Sequence, residues 1–309
     1  MSTTTAEETR RRLGRVGVGL TMSIAPADEW RDSIQRVERA GYAAAWVNEA
    51  IGGREVFAQL GLLLAASDRT VLGSSIANTW ARHPAAMQGG AAVLADAYPG
   101  RFALGIGVSM DLMVEESGQT WTRPLTRMRD YLDRMDASAD RAPRPSVAYP
   151  RLLAALGPKM TELARDRADG AIPAAMPVEH TRRTRELLGP DPLIVVQQLI
   201  IPEPDPATAR ATIRGFGLPD HPSSPYTKAL RGLGYSEADL ANGGTDAVID
   251  ARYTWGDPDG IAARLREHLD AGADHVVISV PGATLPAITD QLERLAPALT
   301  TLASSAATA

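Results

Sequence analysis

Cysteine is missing from all 309 residues. Its absence excludes disulfides, thiol nucleophiles, thiolate-bound zinc and cysteine-held iron–sulfur clusters, so redox chemistry here calls for an organic cofactor. Lysine is almost missing as well, occurring only at Lys159 and Lys228 among 32 basic residues, a bias of genome composition rather than of mechanism. No run approaches the ~18 apolar residues of a membrane span. The N-terminal "MSTTTAEETRRRLGR" also lacks the apolar centre of a secretory signal, so a cytoplasmic protein without a membrane partner is expected. A net charge of −5 offers no basic footprint for nucleic acid. The histidines His83, His180, His221, His268 and His275 are scattered, with no H-E-x-x-H spacing, and neither a G-x-S-x-G elbow nor a Walker loop occurs. No metal site is expected.

What is present is ordinary core material, 44% hydrophobic against 22% charged, enough for a substantial interior. The length suits either one large α/β barrel, which takes about 250 residues, or two ordinary domains. Chain order favours the barrel. Short apolar strands are expected at 15–20, 44–48, 70–76, 101–107, 151–157, 170–174, 193–201 and 275–280, and between them run helical patterns such as 28–40, 55–67, 124–138, 178–188 and 257–271. Eight strands alternating with helices give an α/β fold of the (β/α)8 TIM-barrel class. Residues 202–256, rich in turn formers around a helix at 206–216, then read as an insertion after strand 7, a lid or an oligomer contact. The expected organisation is a flexible tail at 1–12, a single barrel domain at 13–303 and a second tail at 304–309.

In such a barrel the chemistry belongs at the carboxyl ends of the strands. Those ends read Thr21 to Ser23, Asn48 and Glu49, Ser75 to Thr79, Ser109 and Met110, Leu156 and Gly157, Ala174 to Met176, Gln198 and Ser279 to Gly282. They are mostly small, neutral and apolar, which suits a flat aromatic cofactor. The glycines of "GIGVS" at 105–109 make only a fragment of a dinucleotide fingerprint and are read as close-packing residues.

The stretch Trp46 to Ser109, through its signatures "VNE", "GSSIAN", "RHPA" and "GRFALGIGVS", resembles the luciferase-like flavin and deazaflavin oxidoreductases, particularly the actinobacterial type that uses coenzyme F420. Taken alone, "GSSI" is an ordinary strand end; the resemblance implies a non-prolyl cis peptide between Ser75 and Ile76, beneath the cofactor ring. It further implies a cofactor contact surface of Ser75, Ile76, Ala77, Asn78, Ser109, Met110, Gly157, Pro158, Ala174, Ala175 and Met176. Lys159, His180, Arg182 and Arg183 are expected either to meet an acidic cofactor tail or to be solvated residues of a helix surface.

Glu49 falls where relatives carry a histidine or an acid beside the hydride-exchanging carbon. Glu49 and Asn48 are therefore the expected reacting centre, with Glu49 as a partly desolvated acid and His83 as a second proton donor. The alternative for Glu49 is a plain helix-N-terminal carboxylate, and for His83 a solvated residue. Met110 stands where relatives use a histidine or glutamate, and a thioether transfers no proton. Trp80 and Trp121, with Met22, are the expected substrate wall, while Trp46 reads as core. The resemblance thus implies an F420-dependent oxidoreductase, a hydride passing between the deazaflavin and a small-molecule substrate. The direction expected is reduction of an electron-poor C=C or C=N in specialised metabolism, by a homodimer. The alternatives are an FMN-dependent monooxygenase and a barrel that binds without catalysing.

Overall fold

The computed structural model describes residues 3–21, 24–216 and 224–302. Ten strands run in chain order: β1 (Val16–Leu20), β2 (Ala44–Val47), β3 (Val71–Ser74), β4 (Ala77–Asn78), β5 (Phe102–Gly107), β6 (Arg151–Ala154), β7 (Gly170–Ile172), β8 (Leu193–Ile201), β9 (Thr254–Trp255) and β10 (His275–Ser279). Eight of them, β1, β2, β3, β5, β6, β7, β8 and β10, pair in parallel around a ring that closes where β10 meets both β1 and β8. The registers Val16 with Val276 and His275 with Val195 fix that seam. The short β4 and β9 extend the sheet beyond the ring, β4 on β5 and β9 on β8.

Helix α1 (Thr3–Leu13) precedes β1, and between the ring strands run α2 (Ala27–Arg39), α3 (Val56–Ala66), α4 (Pro84–Ala97), α5 (Asp111–Glu116), α6 (Pro124–Asp136), α7 (Pro158–Arg167) and α8 (Val178–Leu188). Between β8 and β10 come α9 (Pro206–Gly215), α10 (Pro225–Gly232), α11 (Glu237–Leu240), α12 (Asp246–Arg252) and α13 (Pro258–Asp270), and α14 (Leu285–Leu299) closes the chain. Among the described residues no helix is long and apolar enough to cross a membrane.

Several boundaries move from those read in the sequence. Helix α1 takes in residues 3–12 of the segment expected as a tail: Leu13 at its end is fully buried against the inside of the barrel, and Arg10 reaches Asp274 at 2.7 Å and the Asp191 carbonyl at 2.5 Å. These partners lie some 180 to 260 residues away in sequence, so local pattern gives no sign of the helix. The strand expected at 70–76 stops at Ser74, and those expected at 151–157 and 170–174 stop at Ala154 and Ile172. The polar connection after β5 contains the short helix α5. The tail 304–309, Met22 and His221 lie outside the described residues.

Two cores follow from the alternation of strand side chains. The outer one lies between sheet and helices; Trp30, Ile34 and Val37, three to four apart, put one face of α2 against it. The inner one fills the barrel and centres on Trp46, whose indole N–H donates to His275 Nε2 at 3.1 Å while His275 Nδ1–H donates to the Gly14 carbonyl at 2.9 Å. Room for this pair comes from two glycines. A Cβ on Gly73 would lie 2.3 Å from the Trp46 ring, and one on Gly17 2.5 Å from the imidazole.

Burial holds His275 at a pKa of about 4 and His268, beside Thr181, at about 3. Glu38 is held at about 2: its burial works upward, but the Thr70 hydroxyl and the amides of Arg69, Thr70 and Asp68, all donating to its carboxylate, outweigh it. The unfolded chain binds protons on the histidines from about pH 6.5 downward while the folded barrel refuses them, so this stability is complete above that pH and lost as pH falls toward 4. The Glu38 contribution is lost between about 4.5 and 2, in the same direction. Urea midpoints are expected to fall steadily from pH 7 to pH 4, and His275→Leu to flatten part of the slope; a midpoint constant over that range would contradict the assignment.

Candidate active site

The carboxyl end of the ring is assembled around the segment that follows β3. Ser74 staples β3 to β5 by donating to the Gly105 carbonyl at 2.8 Å and accepting its amide at 3.0 Å. The Ser75 amide donates to Val47 at 2.7 Å, the Ser75–Ile76 peptide is cis, and the Ser75 carbonyl accepts Gln197 Nε2 from across the barrel at 3.2 Å. Ala77 and Asn78 then pair with Ile106 and Gly107 as β4. Gly107 is required here, since a Cβ would meet Ile76 at 2.5 Å.

Glu49 anchors this segment from below. Its carboxylate accepts the amides of Asn78 at 2.8 Å and Val56 at 3.2 Å, and both terminal nitrogens of Arg82, one of them at 2.8 Å. Burial works against the Arg82 charge, but the Glu49 carboxylate outweighs it and holds the guanidinium protonated beyond its usual range. An acid that serves substrate must present its proton to the mouth; Glu49 is buried and every bond it makes is accepted from the protein. In this arrangement Glu49 is the buried half of an ion pair that fixes the backbone at Asn78. Asn48, next to it, is exposed at the end of β2.

His83 is likewise engaged in local structure. Its Nδ1 accepts the Ala85 amide at 3.2 Å to cap α4, and its Nε2 lies 2.5 Å from Arg134, in a cleft beside the mouth. Asn78 is buried, with its side-chain oxygen accepting the Trp80 amide at 3.0 Å, and Ala77 is fully buried, so their side chains are spent on the loop itself. Ser75, Ile76, Ser109 and Met110 are partly exposed at the mouth; Ser109 takes a φ of +64° and Met110 leads into α5.

On the opposite side Gly157 and Pro158 open α7, and a Cβ on Gly157 would meet nothing within 4 Å, which leaves the backbone open to close approach. Ala174 bridges to Gln197, and Ala175, at φ +50°, accepts Arg252 Nε at 3.2 Å. Met176 is buried among Leu230, Leu240 and Val248, so only its carbonyl faces a polar partner, Gln198 Nε2 at 2.9 Å. His180 is buried too, bonded through Nε2 to the Leu156 carbonyl, and burial pushes its pKa down. Arg182 and Arg183 pair with Glu179 on the helix surface, and Lys159 is exposed nearby. Trp80 and Trp121 stack with centroids 5.9 Å apart, and the Trp80 indole N–H donates to the Val108 carbonyl at 2.8 Å.

Gln197 and Arg82 are the residues that sequence reasoning missed. The rim reading took Gln198, but along β8 side chains alternate, and it is Gln197 that turns toward Ser75. Arg82 carried one usable signal, its place inside "ARHP" beside the motif that holds the resemblance.

A closed parallel barrel with its polar backbone turns, half-buried serines and paired tryptophans gathered at one rim is the architecture of a barrel enzyme. The family model described as luciferase-like monooxygenase matches residues 11–275, and the chain belongs to that family. It is similar to the 5,10-methylenetetrahydromethanopterin reductase of Methanolobus tindarius, 26% identical with 79% of this chain and 87% of that protein covered. Among solved structures, an F420-dependent secondary alcohol dehydrogenase in complex with an F420–acetone adduct superposes with a TM-score of 0.74 at 17% identity, covering 93% of this chain and 99% of that one. Monooxygenase RslO1 from Streptomyces bottropensis superposes with a TM-score of 0.69 at 16% identity, covering 92% and 98%.

Proposed function

We propose that this chain is an F420-dependent oxidoreductase acting on a small organic molecule, with reduction of an electron-poor C=C or C=N as its reaction. The observation that carries the reading is the character of the mouth: its strand ends offer serine hydroxyls, amides and apolar surface, while the carboxylate beside them, Glu49, is locked to Arg82. Likeness over most of the chain to a 5,10-methylenetetrahydromethanopterin reductase, and a fold shared with an F420-dependent secondary alcohol dehydrogenase, support the same reading.

The residues present fit a flat, largely neutral ring. Ser75 and Ile76 would lie under it, the open backbone at Gly157 and the Ala174–Ala175 turn would flank its polar side chain, and Met110 would touch it without exchanging protons. When bound, the deazaflavin supplies or accepts hydride at one ring carbon. The protein's own part is positional: Gln197 and Glu49 hold the 75–78 turn from two sides, and Trp80 with Trp121 forms an apolar wall that excludes water. With Glu49 and His83 both engaged in structure, the proton that accompanies hydride comes from solvent, with Asn48 as the exposed polar group at the mouth.

Titrating the purified protein with oxidised F420, and separately with FMN, tests this. Saturable perturbation of the deazaflavin spectrum with weak FMN binding is expected. The second reading, an FMN-dependent monooxygenase, has in its favour the comparable superposition on RslO1; preferential FMN binding with oxygen consumed on turnover would replace the first with it. Binding of neither would overturn both.

A further inference from the structure

A cleft of about 690 Å³ opens beside the mouth, between the segment 79–84 and α6. Its walls bring together Arg82, Arg123, Arg127 and Arg134 against one carboxylate, Asp130. Arg82 is answered by Glu49 and Glu55. The other three make no ion pair with any carboxylate among the described residues. Arg127 is bound to Thr79, through its hydroxyl at 3.3 Å and its carbonyl at 2.9 Å, with the guanidinium 3.2 Å above the Trp80 ring. Arg134 faces His83, and Arg123 is exposed at the N-terminus of α6, where no side chain caps the first turn.

A solvated surface would point such side chains outward and apart. Here they converge on one concavity, and one guanidinium is laid flat on an indole, half buried, where burial lowers its pKa with no carboxylate to offset the cost. A cation withdrawn even partly from water is stabilised by an anion beside it. Planar guanidinium forks match phosphate and carboxylate oxygens in pairs, and the uncapped end of α6 adds backbone N–H groups of the same polarity.

We propose that this cleft binds a small polyanion carrying phosphate or clustered carboxylate groups, at a site beside and distinct from the barrel mouth. Three unpaired guanidiniums against Asp130 leave about two positive charges to be met, which sets the valence. The volume suits a small molecule. The anion is either a free metabolite or the acidic arm of a molecule whose body occupies the mouth, since Trp80 forms part of both surfaces. The inference stands whether or not F420 is the cofactor.

Calorimetric titration with inorganic pyrophosphate and with citrate tests it on the full-length protein. Saturable binding of at least one probe is expected, weakened about tenfold or more in the Arg123→Glu/Arg134→Glu double variant and unchanged in Arg266→Glu/Arg294→Glu, a charge-matched pair of changes on α13 and α14. Both altered positions in the cleft are exposed, so thermal midpoints should match the parent. Absence of saturable binding by either probe, or equal binding by the double variant, would overturn the proposal. Saturating F420 or FMN then distinguishes the sources: loss of probe binding indicates an acidic arm shared with the mouth, and retained binding a free anion. Pyrophosphate binding is read without cofactor, so failure of the cofactor assignment leaves this result intact.

Discussion

Arg82→Ala is expected to cost about 3–5 kcal/mol in urea unfolding, among the largest effects of any single change near the mouth. The reason is what it leaves behind. Glu49 is buried with its side chain 3% exposed, and without the guanidinium its negative charge keeps two amide donors but no countercharge. Part of the loss should return in the Arg82→Ala/Glu49→Ala double variant, which removes the stranded charge along with its partner, so the cycle should show coupling of roughly 1–3 kcal/mol. The same pair separates the two roles open to Glu49. As the anchor of the 75–78 turn, Glu49→Gln should weaken cofactor binding and lower stability while leaving the pH profile of turnover unchanged. Abolished turnover in a folded, cofactor-loaded Glu49→Gln protein would restore Glu49 as the reacting acid.

Trp46→Ala is expected to cost a similar 3–5 kcal/mol, because it empties the centre of the inner core and strips His275 of the N–H it accepts. Gly73 gives this prediction a second arm. In the parent barrel Gly73→Ala drives a methyl group to within 2.3 Å of the indole and should destabilise by about 1–3 kcal/mol. In the Trp46→Ala background the same methyl group enters space just vacated, so its cost should vanish or reverse. Additive effects of the two changes would mean that Gly73 serves some purpose other than making room for the indole.

The barrel was readable because each of its strands is a short apolar run bounded by turn residues, and because glycines at 17, 73, 105 and 107 punctuate those runs where the interior is crowded. The cis Ser75–Ile76 peptide was readable through resemblance alone. What escaped was decided by partners distant in sequence. Glu49 looks like an acid at a strand end until Arg82, 33 residues on, is folded against it. His180 looks like a surface base on a helix until its ring meets the Leu156 carbonyl. Met176 sits in a rim loop by position, yet its side chain belongs to the core beneath α10 and α12. Helix α1 has its stabilising contacts at Asp191 and Asp274, which no local window contains.

Closure of the ring by β10 on both β1 and β8 has a bearing on how the molecule is made. Synthesis delivers β1 long before β10, so until β10 emerges the nascent sheet has two unsatisfied margins, each presenting free peptide groups along a hydrophobic strand. Every seam except the final two can zip up locally between neighbours, whereas β1 must wait for a segment about 260 residues downstream. That interval is when a ribosome-bound chain of this design is open to pairing with another copy of itself, and it makes rapid arrival of the last helical turn and strand, or a chaperone shielding β1 meanwhile, a determinant of yield independent of how stable the finished barrel is.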